Sequence, residues 1–384
     1  MNLKRKIMVV TGTRADYGLL KHTIAEIHAN PKLSLCLVVT GSHLSSKLGM
    51  TVSEIEADGF PIAHRLPILD EAIKNEAITS ITAKTLDGMG KITKLENPDI
   101  LVVLGDRYES FAATVAASLS NIPVAHIHGG ELTLGAVDDA LRHSMTKMAW
   151  WHFTAAEEYR CRVIRLGEDP EHVFNVGTTA LDALSTVLAD KEEIEKFLGR
   201  SLVSPIAVVT LHPQTRSPGK AREHAECMLQ AIEQAKLGTV IFTKANADQE
   251  GAIINECLEE YVKGKNNALL VSSLGHQRYL GLVKLADVAI GNSSSLVIEA
   301  PILGTPAVNI GTRQDGRVRS SAIIDVPFNV EKITQALSTA LVPGFKADLS
   351  KKGHPFGQAG VAKKIVNILA SSQIPQDLSK RFYE

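Results

Sequence analysis

Five segments of this chain place chemically capable residues directly after short apolar runs. In VVTGTRADYG (residues 9–18) a glycine turn is followed by Arg14 and a helix-like stretch. Backbone N–H groups at a helix start, joined by a guanidinium, suit a phosphate; the competing reading is a tight turn with a solvated arginine. In VVLGDRYES (102–110) Asp106 and Arg107 close an apolar run, either as functional charges or as a structural salt bridge. The stretch HIHGGELTLGAVDDALRH (126–143) concentrates His126, His128, Glu131, Asp138, Asp139 and His143. Histidines beside carboxylates raise metal ligation. However, HxH lies on an extended segment, HExxH is absent, and acids around Asp138 also suit a helix cap. The expectation is therefore acid–base carboxylates with shifted pKa values, and no metal.

Two further segments lie in the second half. In VVTLHPQTR (208–216) His212 ends an apolar run and precedes a proline, placed to bind a diphosphate, to transfer a proton, or to hydrogen-bond structurally. In AIGNSSSLVIEAPILGTPAVNIGTRQDGRVR (289–319) Gly291, Asn292 and three serines lead into an expected amphipathic helix. Ser293 and Ser294 would cradle a phosphate with the helix dipole behind them. Glu299, about one and a half turns on, offers a carboxylate to ribose hydroxyls. Arg313, Arg317 and Arg319 follow the next apolar run.

The elements that must position these residues are short Val/Ile-rich runs alternating with longer amphipathic stretches. Expected strands are Ile7–Val10, Leu35–Val39, Ile100–Leu104, Val124–Ile127, Ile206–Thr210, Val240–Thr243, Ala268–Val271, Val288–Ile290 and Ala307–Ile310. Tyr17–Ala29 and Phe111–Ser120 carry helical spacing. Runs without polar alternation belong to strands covered on both faces, hence to parallel sheets, and repeated strand–helix units give a doubly wound α/β architecture. With 384 residues two domains are expected, the boundary lying in the charged, proline-ended stretch of residues 180–204. Ligands of such sheets bind beyond the carboxyl ends of the strands, so a ligand is expected in a cleft between the two domains.

Net charge is −1, from 41 basic and 42 acidic side chains. That balance gives no general attraction to nucleic acid or membrane. The four cysteines lack CxxC or metal-like spacing and read as free thiols in a reducing compartment. The N-terminal apolar run is too short for a signal or a membrane span; a cytoplasmic protein is expected. Trp150 and Trp151 read as core or interface packing.

Taken in order, GTRADYG, LGDRYE, HIHGGE…DD…RH, LHP, GNSSS…E and GTP…NIGTRQ resemble the UDP-N-acetylglucosamine 2-epimerase family, on its hydrolysing branch, over residues 5–330. The resemblance implies two Rossmann-like domains of the glycosyltransferase-B type. These would be an N-terminal domain (1–185) with the catalytic acids, a UDP-binding domain (200–357), and C-terminal helices (358–384) crossing back to the first. It implies that Arg14, His212, Ser293, Ser294 and Arg313 hold the diphosphate and Glu299 the ribose. Asn246 and the Leu274 region would lie near the nucleoside. Asp106, Arg107, Glu131, Asp138 and Asp139 would face the amino sugar. Non-hydrolysing relatives carry HxEAG, so His128 or Glu131 takes over that carboxylate's place. Leu296 stands where the family has glycine and would narrow the backbone approach or fill space near the ligand.

The implied reaction is elimination of UDP from UDP-N-acetylglucosamine to a 2-acetamidoglucal, then hydration to free N-acetylmannosamine, as in sialic-acid synthesis. It needs no metal or redox cofactor. A homodimer or homotetramer is usual among relatives. Alternatives are the same reaction on UDP-2,4-diacetamido-2,4,6-trideoxyglucose, for legionaminic acid, or a retaining glycosyltransferase, which shares the diphosphate logic. A non-catalytic nucleotide-sugar sensor would have no use for so many acids.

Overall fold

A computed structural model describes residues 4–70, 77–134, 138–185, 187–214, 219–245 and 250–384. The chain divides into two compact units, one of Met1–Glu131, Asp138–Ala183 and Gly357–Glu384, the other of Leu132–Val137 and Leu184–Phe356.

The first unit holds seven strands: β1 (Arg5–Thr11), β2 (Leu33–Thr40), β3 (Ile62–Leu66), β4 (Ile100–Leu104), β5 (Val124–Ile127), β6 (Trp151–Thr154) and β7 (Val173–Asn175). Their order is β3-β2-β1-β4-β5-β6-β7, and every pairing is parallel. The order reverses between β1 and β4, and a doubly wound sheet opens a crevice at that point. Met8, Val10, Cys36, Val38, Leu101 and Val103 pack under Met89, Ile92, Ala113 and Ala117 of the covering helices. Burial on both faces is why these strands read as unbroken apolar runs.

The helix Val361–Ser371 packs on the helix Arg14–Ala29 of this unit. Its amphipathic spacing buries Val361, Ala362, Ile365, Val366 and Leu369. Gly360 precedes it and supplies no cap side chain. Asp182 does so instead, its carboxylate accepting from the N–H groups of Gly360 (2.5 Å), Val361 (3.0 Å) and Ala362 (2.5 Å). Three otherwise orphaned donors are thereby met by one acid at the positive end of the helix.

The second unit holds β8 (Ile206–Thr210), β9 (Thr239–Thr243), β10 (Ala268–Val271), β11 (Val288–Gly291), β12 (Ala307–Ile310) and β13 (Ile323–Val326). The order β10-β9-β8-β11-β12-β13 is again all parallel and reverses between β8 and β11. One face is filled by Val209, Phe242, Ile290 and Ile310 with Met228 and Leu337. The other is filled by Val208, Ile241 and Ala289 with Leu274, Leu282 and Leu296. Trp151 lies in the first unit's core and Trp150 tilts against His172, at 5.0 Å.

The nine expected strands are present. β3, β6, β7 and β13 were not expected. β3 alternates half-buried and exposed residues, β7 and β13 are likewise edges with exposed positions, and β6 is a four-residue WHFT. None offers the continuous aliphatic run of a covered strand. No helix among the described residues is long and apolar enough to cross a membrane, and the four cysteines are unbridged.

Candidate active site

In the first unit the loaded loops leave β1, β4 and β5. Gly12 and Gly41 bring two strand ends together. A Cβ on Gly41, whose φ is +59°, would meet the Gly12 carbonyl at 2.5 Å. Thr13 caps the following helix by accepting from the Asp16 N–H at 3.2 Å, which leaves Arg14 exposed at the helix start. Burial raises the Asp16 carboxyl to about 6, against the lowering effect of nearby Arg107.

Asp106 and Arg107 do not pair with one another; each makes its own salt bridge to another residue. Arg107 forks onto Glu109, Nε to Oε2 at 3.1 Å and Nη2 to Oε1 at 3.2 Å. Asp106 accepts from Nη2 of Arg142. Arg142 is 2% exposed and is the residue that sequence reasoning missed. Burial disfavours its charge, but the negative charges of Asp106, then Glu131 and Asp139, outweigh burial and keep it protonated. One of the expected acids, Asp106, thus bonds this buried guanidinium, and the charges of Glu131 and Asp139 act on it without a hydrogen bond. Arg142 lies on the helix Asp138–Met148, and its partner Asp106 is 36 residues away in the chain, too far for local spacing to announce the pair.

His128 and Glu131 are both buried. His128 has a left-handed φ of 63°, and its Nε2 accepts the Thr179 N–H at 3.2 Å. That bond requires a lone pair on Nε2, so Nδ1 carries the proton. Nδ1 lies 3.5 Å from Glu131 Oε1. That is an ion-pair distance and not a hydrogen bond. His126 donates from Nε2 to the Gly105 carbonyl at 2.7 Å, tying β5 to the loop after β4; burial takes it down to about 3. Asp138 and Asp139 open their helix, and Asp139 Oδ2 lies 3.8 Å from His143 Nε2.

In the second unit the reversal between β8 and β11 carries His212, Asn292, Ser293 and Ser294. Asn292 is fully buried and clasps His212 in both directions. Its Oδ1 accepts the His212 N–H at 2.8 Å, and its Nδ2 donates to the His212 carbonyl at 2.9 Å. The Asn292 carbonyl accepts from Arg313 at 3.2 Å and Gln314 at 2.8 Å. Asn292, named above only as part of the turn before the serines, and Gln314, not singled out there, hold the three strand ends together. Gly291 has φ +130°, and a Cβ there would lie 1.9 Å from the Thr210 carbonyl. Burial, and then the Arg313 charge, lower the His212 imidazole to about 3, so it is neutral in the free protein. A bound diphosphate would favour its protonated form.

The expected amphipathic helix after the serines is broken into Ser294–Val297 and Glu299–Ile302. Pro301 cannot donate to the Val297 carbonyl, and its ring crowds that carbonyl. Ser293 caps the first piece, accepting from the Ser295 N–H at 3.3 Å, and Ser294 is exposed. Glu299 opens the second piece. Leu296 is 2% exposed and packs with Leu274 in the core; it fills core rather than space near a ligand. Asn246 lies outside the described residues.

Two Rossmann-like α/β units, each with charged residues at the carboxyl ends of its parallel strands, give the chain a fold of the glycosyltransferase-B-like class. The chain belongs to the UDP-N-acetylglucosamine 2-epimerase family, which it matches over residues 25–370. It is 39% identical over 328 residues to the GDP/UDP-N,N'-diacetylbacillosamine 2-epimerase (hydrolyzing) of Campylobacter jejuni, covering 85% of each chain. It is 37% identical over 367 residues to polysialic acid biosynthesis protein P7 of Escherichia coli, covering 95% of this chain and 93% of the relative. The solved UDP-GlcNAc 2-epimerase of Neisseria meningitidis, bound to UDP-GlcNAc, superposes with a TM-score of 0.82 at 19% identity, covering 96% of this chain and all of that one. That last likeness is one of fold.

Proposed function

We propose that this protein is a hydrolysing 2-epimerase of a UDP-linked 2-acetamido sugar. The observation that carries the reading is Arg142 buried among Asp106, Glu131 and Asp139, an acid cluster that binding alone would not require. A carboxylate takes H-2 as a proton while the C-1–O bond breaks and UDP leaves with the bonding pair, giving a 2-acetamidoglucal. Water then adds its hydroxyl at C-1 and a proton reaches C-2 from the opposite face. One water is consumed, and the free manno-configured sugar and UDP are released. H-2 is weakly acidic, so C–O cleavage runs ahead, helped by cationic groups that stabilise departing UDP.

Glu131 is the C-2 acid or base, and His128, with Nε2 committed to Thr179, orients it. Asp106 is held in place by Arg142. Asp138 and Asp139 face the sugar with Arg107. Arg14, His212, Ser293, Ser294 and Arg313 hold the diphosphate, Glu299 the ribose, and the Leu274 segment approaches the base.

The sugar placed first is N,N'-diacetylbacillosamine, that is 2,4-diacetamido-2,4,6-trideoxyglucose, because the Campylobacter relative of that name is 39% identical. UDP-N-acetylglucosamine is the second reading, supported by the family match. The test is kcat/KM from nucleotide release with both UDP-sugars and the GDP-linked diacetamido sugar. Release of free sugar without any acceptor is expected, fastest from the UDP-diacetamido substrate. A tenfold preference for UDP-N-acetylglucosamine would move the second reading to first. Release that requires a sugar acceptor would contradict both.

A further inference from the structure

Cys36, His64 and Glu96 converge at the base of the first unit's sheet, their Sγ, imidazole nitrogen and carboxylate oxygen all within 4.8 Å of one another. We propose that these three residues form a binding site for a soft divalent cation of the zinc class, separate from the strand ends that carry the catalytic acids. Thiolate, imidazole and carboxylate are the donors that zinc takes, and three protein ligands plus a water complete a tetrahedron.

The placement is built into the strand pairing. Ile62 pairs with Leu37 and His64 with Val38, so Ala63 is an extra residue on β3. Cys36 and Val38 share a face because side chains alternate, and the bulge brings His64 onto that same face. Bulges re-aim side chains in this way beside functional sites. Glu96, the last residue of the helix Ile78–Glu96, meets His64 Nε2 at 2.8 Å. The Lys6 ammonium donates to the other carboxylate oxygen, Glu96 Oε2, at 3.1 Å and to the Glu96 carbonyl at 2.7 Å, so it competes with a metal for the Glu96 charge. Cys36 would bind as the thiolate, releasing its thiol proton to solvent when the metal enters. Cys36 lies four residues before the end of β2, roughly 13 Å at 3.3 Å per residue, so the metal ties β2, β3 and the helix together without entering the reaction.

Titrating the chelator-stripped full chain with Co²⁺ tests this. A thiolate-to-cobalt charge-transfer band saturating at one equivalent is expected. The band should vanish in Cys36→Ser, and the affinity should fall about tenfold or more in His64→Ala. Lys6→Met removes no ligand and should tighten binding, a result that a misfolded variant cannot imitate. Turnover by the metal-free and Zn²⁺-loaded protein should be the same. A band that survives Cys36→Ser, no band at millimolar Co²⁺, or unchanged affinity in Lys6→Met would overturn the proposal.

Discussion

At the scale of single residues, Glu131 and Arg142 have opposite duties. Glu131 is 2% exposed and lies 3.5 Å from His128 Nδ1; because it is the C-2 acid or base, Glu131→Gln should lower kcat by about 10²–10⁴-fold while UDP affinity stays unchanged by calorimetry. His128→Asn keeps a residue tolerant of positive φ and should cost kcat less than Glu131→Gln, with KM nearly constant. Arg142 instead neutralises its neighbours. Arg142→Met leaves the part-buried Asp106 carboxylate without its partner and should destabilise the protein by about 1–3 kcal/mol in denaturant titration. Sequence reading found the acids because Asp and Glu after apolar runs are conspicuous. It passed over Arg142 because nothing in the letters says which way an arginine on a helix turns.

At the scale of elements, strand ends were legible and helix boundaries less so. A run such as ILVVL at 100–104 declares a strand covered on both faces, whereas the alternation in IAHRL belongs to an edge and resembles a loop. Pro301 was visible inside the expected helix, and the break it causes follows from its missing donor. The cap on Val361–Ser371 was not legible, since Asp182 reaches it across 178 residues of chain. Asp182→Ala should cost about 1–3 kcal/mol and raise amide exchange selectively in that helix. Unchanged protection there would refute the cap's role.

At the scale of the whole molecule, the doubled α/β pattern and its strand-end chemistry could be read from the sequence. Long-range ion pairs could not. Glu168, 2% exposed, accepts from Lys147 at 2.6 Å, His152 at 3.1 Å and Lys380 at 2.5 Å, which pins the C-terminal segment to the first unit. Burial alone would raise this carboxyl, but the hydrogen bonds of His152, Lys147 and Lys380 prevail and lower it from 4.5 to about 2. A depressed carboxyl stabilises the fold above its unfolded value and loses that contribution as pH falls toward the folded one. Stability on the order of 3 kcal/mol should therefore disappear between about pH 4.5 and 2. Glu168→Gln should be less stable at neutral pH and show a flatter acid limb in thermal melts.

The central claim is that the C-2–H and C-1–O bonds both break before water adds. Turnover of the UDP-diacetamido sugar and of UDP-N-acetylglucosamine in D2O, followed by proton NMR, tests it most directly. The expected product is a free manno-configured sugar carrying deuterium at C-2, formed together with UDP. Release of a gluco-configured sugar that keeps its C-2 proton, or recovery of intact nucleotide sugar with no deuterium, would contradict it.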